Sequence, residues 1–290
     1  MPFTASGERS CPRSPRQKKH RWAASTVKAE GELNMAFTAF DLSGKVALVT
    51  GGNGGIGLGI AEGLASAGAD IAIWGTNAKK NAIAAERIAA YGKRVHTELC
   101  DVGDEAAVDA AMQRTVAALG RLDGCFANAG VAGARMPFEE LTAELWRSTL
   151  RVNLDGAFFT LRAASRQLLA QGDGGVLVGT ASLAAIEGAP RNEHYAATKG
   201  GLISMMRALA VEYARHGIRA HSILPGWIRT DMSAEVQASD AFQSMISKRV
   251  PMRRWGEASD FAGIAVYLMS AASSFHTGDT FLIDGGYAIY

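Results

Sequence analysis

Residues 46–57 read Val46-Ala47-Leu48-Val49-Thr50-Gly51-Gly52-Asn53-Gly54-Gly55-Ile56-Gly57. A β-branched apolar run enters a glycine-rich loop, and the Ala- and Leu-bearing stretch over 56–67 that follows has helical spacing. Strand, glycine loop and helix, in that order, suit a dinucleotide pyrophosphate. Glycine lets the backbone turn tightly and come close to phosphate, and the first N–H groups of a helix, at its positive dipole end, face an anion. A glycine turn packed on a neighbouring strand would share the pattern, so context must decide.

The context is an alternation of short apolar runs with longer Ala-rich ones. Runs at 46–49, 71–74, 124–127, 176–178, 218–224 and 281–283 read as buried strands. Helical stretches at 56–67, 78–90, 104–119, 143–169, 195–215 and 259–269 separate them. Parallel strands joined by right-handed helical crossovers give a doubly wound, Rossmann-type α/β sheet. One domain over 41–290 is expected, with a small substrate lid over 231–255 and a disordered basic extension over 1–40.

Charge supports that division. Residues 1–34 carry seven Lys/Arg against three Glu, a net of +4, within a chain whose formal charge is +2, so the remainder is −2. The extension reads as a targeting segment, a solvated basic arm, or upstream sequence left untranslated before Met35, the last two being favoured equally. A slightly acidic body argues against nucleic-acid binding, which calls for a basic face. The apolar stretch 261–268 is far short of the ~20 residues a membrane span needs. Cys11, Cys100 and Cys125 are too few for a disulfide framework, and no Cys/His set has metal spacing, which predicts a reducing, cytoplasmic setting without a bound metal.

The form Thr-Gly-x-x-x-Gly-x-Gly at 50–57 is wider than the common Gly-x-Gly-x-x-Gly fingerprint and resembles that of the short-chain dehydrogenases/reductases. The resemblance extends over 42–287, because further motifs of that family follow in order. It implies pyrophosphate contacts at Gly51, Asn53, Gly55, Ile56 and Gly57. Asp101-Val102 resembles the pair beside adenine, and Asn128-Ala129-Gly130 the segment that supports the sheet and flanks the cofactor. Pro225-Gly226-Trp227-Ile228-Arg229-Thr230 is similar to the loop that holds the nicotinamide carboxamide, with Ile228 and Thr230 among its contacts. His221, where the family usually has Asn, reads as a structural residue of a strand.

Tyr195 and Lys199 stand four apart, so a helix places both on one face, within reach of one ligand. Oxidising an alcohol requires its hydroxyl proton to leave with the hydride, and reduction requires a proton for the carbonyl oxygen. Tyrosine is a poor base in water; lowering its pKa from near 10 to ~7 takes about 4 kcal/mol of preferential phenolate stabilisation. Lys199 and the positive nicotinamide ring are expected to supply it. The resemblance implies that Tyr195 is the acid/base, that Lys199 also bonds the nicotinamide ribose, that Ser182 polarises the substrate oxygen, and that Asn153 fixes a water in a proton relay. Taken singly, each has an ordinary reading as a turn, packing or surface residue. His194, beside the tyrosine, reads as a pocket or interface residue, since adjacent helix positions point roughly 100° apart.

The implied activity is NAD(P)-dependent interconversion of a secondary alcohol and a ketone. A non-catalytic dinucleotide-binding sensor or scaffold is the alternative from another class; a nucleotide-sugar epimerase is a further one, disfavoured because only 91 residues follow Lys199. Gly75 stands where NAD-preferring enzymes carry an acid for the ribose 2′-OH, Thr76 follows it, and Lys79 and Lys80 lie near, so a modest NADP preference with NAD accepted is expected. The substrate is a small molecule, for which the motifs leave 3-oxoacyl thioesters, sugars and polyols open. Arg191 is a candidate anchor for an anionic group. The long helices at 143–169 and 195–215 resemble those of the family's tetramer interface.

Overall fold

The computed structural model describes residues 38–290. Of the expected N-terminal extension, Thr38–Phe40 form a 3₁₀ turn and the rest lies outside the described residues. Seven strands, β1 (Val46–Thr50), β2 (Asp70–Gly75), β3 (Val95–Leu99), β4 (Gly124–Ala127), β5 (Gly175–Thr180), β6 (Ile218–Pro225) and β7 (Thr280–Ile283), form one sheet in the order β3-β2-β1-β4-β5-β6-β7. Every pairing is parallel. The order reverses between β1 and β4, and the crevice beyond the carboxyl ends of those strands is where such sheets take ligands.

Helices α1 (Gly55–Ser66), α2 (Ala78–Ala89), α3 (Glu105–Leu119), α4 (Ala143–Leu150), α5 (Gly156–Gln171), α6 (Glu193–Tyr213), α7 (Ala234–Gln237), α8 (Asp240–Arg249) and α9 (Ala262–Met269) complete the fold. Side chains alternate across the sheet, and the two faces fill separate cores. Val46, Leu48, Ala72 and Trp74 pack with Leu161, Leu202 and Met206 on the face covered by α3, α5 and α6. Ala47, Val49, Ile71 and Ile73 pack with Ile60, Leu64 and Leu268 on the face covered by α1 and α9. A third, small cluster of Leu183, Ile246, Val250, Trp255 and Tyr287 seats the expected lid.

Two elements differ from the sequence reading. β3 was not among the apolar runs, because Val95-His96-Thr97-Glu98-Leu99 is an edge strand with only one fully buried residue, Glu98, which accepts bonds from Arg114 and His96. The helix expected over 143–169 is two helices, joined through a π-helical segment at Arg151–Asp155.

Candidate active site

The glycine loop closes between β1 and α1 with Gly51 at φ +64° and Gly55 at φ +48°, the left-handed region glycine occupies without strain. Gly57 has no room for a side chain: a Cβ there would lie 2.3 Å from the Gly51 carbonyl oxygen and 2.5 Å from Asn128 Nδ2. Asn128 Nδ2 donates to the Thr50 carbonyl (3.1 Å), and Thr50 Oγ1 accepts from the Asn128 and Ala129 amides (both 3.0 Å), which locks the end of β4 to the loop. Gly54 caps α1 without a side-chain bond, so the helix's first amides have no internal partner. A bare backbone cradle beside uncapped amides fits a pyrophosphate. Ile56 packs on the core, and the Thr230 methyl closes over Gly55 from the opposite wall.

At the ribose end, Gly75 is buried under two side chains. A Cβ on it would lie 2.2 Å from Asn53 Nδ2 and 2.6 Å from Asn81 Oδ1. Asn53 donates to Asn81 (2.7 Å), and Asn81 donates to the carbonyls of Gly75 (3.2 Å) and Glu98 (3.0 Å). Asn53 therefore braces the ribose end through Asn81, a residue the sequence reading did not single out. Thr76 is exposed beside it. Lys80, an expected 2′-phosphate partner, is already paired with Asp231 at 2.6 Å. Asp101 accepts from Arg151 (2.9 Å) and from the Gly103 amide (2.9 Å), bonds that hold its carboxyl below the usual range against the opposing effect of burial. The Val102 side chain packs into the core against Gly156, which leaves its main chain as what it can offer adenine.

Asn153, Ser182, Tyr195 and Lys199 come from three separate pieces of chain, the last two both on α6. Lys199, 4% exposed, donates from Nζ to the Thr180 carbonyl at the end of β5 (2.8 Å), and its ammonium lies 5.5 Å from the Tyr195 ring centre. Ser182 caps the turn after β5, its Oγ accepting from the Ala184 amide (3.2 Å), and its hydroxyl is near enough to the Tyr195 phenol to favour the phenolate. Burial pushes Lys199 down to about 8. Burial also raises the Tyr195 phenol above 10, partly offset by Ser182. The lowered tyrosine expected from sequence is therefore not a property of these protein groups alone.

Asn153, 1% exposed, sits in the π-helical segment. Its Oδ1 accepts from the Val131 amide (2.8 Å), while Nδ2 donates to the Val131 carbonyl (2.9 Å) and to Thr198 Oγ1 (3.3 Å). Gly130 passes so close that a Cβ there would lie 3.1 Å from Asn153 Oδ1 and 3.5 Å from Lys199 Nζ. His194 is not a pocket-surface or interface residue: it is wholly buried, with its ring against Gly133. Arg191 is exposed with φ +64°, its amide bonded to Glu193 and its carbonyl to the Met136 amide.

Pro225 ends β6, and Gly226 passes Asp284 so closely that a Cβ would lie 2.7 Å from its Cα. Ile228 is buried and bridged to Gly256, and Thr230 caps the turn that opens the lid. Trp227 stacks edge-on with Phe242 at 4.7 Å, tying the loop to α8.

Residues 51–288 match a family model described as Enoyl-(Acyl carrier protein) reductase. The chain is 35% identical over 253 residues to the 2-dehydro-3-deoxy-D-gluconate 5-dehydrogenase of Escherichia coli (strain K12), covering 87% of this chain and 99% of the relative. It is 35% identical over 247 residues to the L-rhamnose 1-dehydrogenase (NAD(P)(+)) of Sphingomonas sp. (strain SKA58), covering 84% and 96%. The crystal structure of a gluconate 5-dehydrogenase from Burkholderia cenocepacia J2315 in complex with NADP and tartrate superposes with a TM-score of 0.83 at 36% identity, covering 87% of this chain and 98% of that one. Fold and relatives together define an NAD(P)-dependent oxidoreductase of alcohol and carbonyl groups. The chain belongs to the short-chain dehydrogenase/reductase family.

Proposed function

We propose that the protein interconverts a secondary alcohol of a sugar, sugar acid or polyol and the corresponding ketone, with NADP modestly preferred and NAD accepted. The observation that carries this reading is the buried Lys199 ammonium 5.5 Å from the centre of the Tyr195 ring, with Ser182 beside the phenol, at the carboxyl edge of the sheet. Similarity to dehydrogenases of gluconate derivatives and rhamnose supports the substrate class. A non-catalytic sensor would have no need of this acid/base cluster.

In oxidation Tyr195 takes the hydroxyl proton through its phenolate; in reduction it returns that proton to the carbonyl oxygen. Ser182 orients the same oxygen, and its hydroxyl beside Tyr195 favours the phenolate. Lys199 places a positive charge beside the ring and would reach the nicotinamide ribose. Gly226 and Ile228 would be among the residues that hold the nicotinamide, which supplies a hydride acceptor or donor when bound. Asn153 spends its amide on Val131 and Thr198, so its part is to position the loop after β4 against α6, with any water relay passing over that frame.

A homotetramer is the proposed assembly, supported by the exposed apolar Phe158 and Leu169 on α5 and Val211 on α6. The proposed setting is the cytoplasm. Cys100 and Cys125 are free and buried, and among the described residues no helix is long and apolar enough to cross a membrane.

A panel of aldoses, aldonates, polyols and 3-oxoacyl and enoyl thioesters, assayed with both nicotinamide cofactors by their absorbance, tests the substrate class. Turnover of a sugar, sugar acid or polyol with thioesters inert is the expected result. Turnover of thioesters alone overturns it.

A further inference from the structure

Lys80 and Asp231 reach across the chain from positions 151 residues apart to form an ion pair at 2.6 Å. Lys80 is in the first turn of α2, just past the ribose end of β2. Asp231 directly follows Thr230, whose methyl packs over Gly55 of the phosphate loop. The bridge thus joins the wall expected to carry the adenosine ribose to the first residue of the lid.

Gly75, the position from which an acid would bond a ribose 2′-OH and repel a 2′-phosphate, is closed to any side chain by Asn53 and Asn81. Discrimination between the two cofactors must come from elsewhere. Thr76 adds no charge. Lys80 is the lysine that the structure places in an ion pair at this end of the cleft, and a carboxylate already holds it. The Lys80 side chain is 50% exposed and that of Asp231 88% exposed, so the pair is solvated and exchanges readily.

We propose that Asp231 is a cofactor-specificity residue, acting by competing with a 2′-phosphate for the Lys80 ammonium. The inference rests on the dinucleotide reading of the glycine loop. A phosphate monoester carries about −1.5 to −2 charge at pH 7, against −1 for Asp231, and takes the ammonium when it arrives. It must first displace the carboxylate, and the gain is reduced by what that bond contributed. A ribose 2′-OH meets no such competition. The outcome is a small NADP preference in place of a strict one. Asp231 is silent in sequence, because nothing local connects a residue after a Pro-Gly loop with the start of α2.

The test uses the full chain and the two halves of the cofactors that differ, adenosine 2′,5′-bisphosphate and 5′-AMP, titrated calorimetrically at low ionic strength. Asp231→Asn is expected to tighten the bisphosphate about three- to fivefold, the scale of one exposed ion pair, and to move 5′-AMP by less than about twofold. In a Lys80→Gln background the same substitution is expected to do nothing, and high salt is expected to shrink the effect. The ratio of kcat/KM for NADP over NAD should rise by the same factor. Equal tightening of both nucleotides, a gain that survives in Lys80→Gln, or no gain at all overturns the proposal while leaving the dinucleotide reading intact. Failure of wild-type protein to bind either nucleotide removes that reading and the proposal together.

Discussion

The Lys199 ammonium lies 5.5 Å from the centre of the Tyr195 ring and gives its hydrogen bond to the Thr180 carbonyl. Its influence on the phenol is therefore exerted through space. For an ammonium and a phenolate oxygen roughly 4–6 Å apart at an effective dielectric constant of ~20, the attraction is about 3–4 kcal/mol. Bringing tyrosine to neutrality takes ~4 kcal/mol, and burial pulls the phenol the other way. The positive charge of an oxidised nicotinamide would add to that attraction, so proton transfer is expected to be coupled to cofactor binding.

Tyr195→Phe keeps the ring and removes the group that carries the proton. Turnover should fall at least about a thousandfold, at the upper end of what general acid/base groups contribute. Dissociation constants for NADP and NAD, followed by fluorescence, should stay within about twofold. Turnover within a few-fold of wild type would remove Tyr195 from its role.

Lys199 leaves a signature in stability. Its folded pKa of about 8 lies below the ordinary value of 10.5. The penalty for burying its charge is fully present below pH 8 and is relieved as pH rises toward 10.5, because over that window the unfolded chain binds the extra proton. Lys199→Met lacks this term. The unfolding free energy of wild type relative to Lys199→Met, measured in urea on cofactor-free protein, should therefore rise by up to about 2 kcal/mol between pH 7 and 9.5. A difference constant with pH would mean that the ammonium is not buried.

The parts of this molecule legible in sequence are those fixed by local geometry. Gly57 announces itself because any Cβ would strike the loop's own Gly51 carbonyl, and Tyr195 and Lys199 because one helical turn joins them. Ser182 is legible only through the family resemblance, since no local pattern links it to Tyr195. What escaped depends on distant partners. β3 is a sheet edge whose pattern is polar on one side. The π-helical segment forms where Asn153 is drawn between Val131 and Thr198, contacts 22 and 45 residues away. Asn81 matters only because Asn53, 28 residues earlier, folds back onto it.

Asn153 separates a positioning role from a relay role. Asn153→Ala would remove the partners of the Val131 amide and carbonyl, a loss of about 0.5–1.5 kcal/mol per bond. Thermal unfolding should show a lower Tm in cofactor-free protein, together with a fall in kcat. Asn153→Asp should behave similarly, since a carboxylate accepts from the Val131 amide but cannot donate to its carbonyl. An unchanged Tm with reduced kcat would assign Asn153 to the water relay alone.

Gly75 offers a sharper discrimination, because the standard substitution for changing cofactor should fail here. An acid at the end of β2 ordinarily favours NAD. In this chain the new Cβ would lie 2.2 Å from Asn53 Nδ2 and 2.6 Å from Asn81 Oδ1, and the carboxylate would have to displace the bond between them. Asn81 cannot swing away freely, since it also satisfies the carbonyls of Gly75 and Glu98. Gly75→Asp should accordingly cost about 1–3 kcal/mol of stability, as overpacking of a filled site does, which lowers Tm by roughly 2–10 °C. Its kcat/KM for NAD should not rise. Thr76→Asp puts the same charge one residue later, on an exposed position, and should leave Tm nearly unchanged while lowering kcat/KM for NADP about tenfold, or 1.4 kcal/mol. Melting curves and kinetics with both cofactors on the two variants decide the matter. A stable Gly75→Asp protein that gains NAD activity would show that Asn53 and Asn81 yield, and that the ribose end is not closed as described.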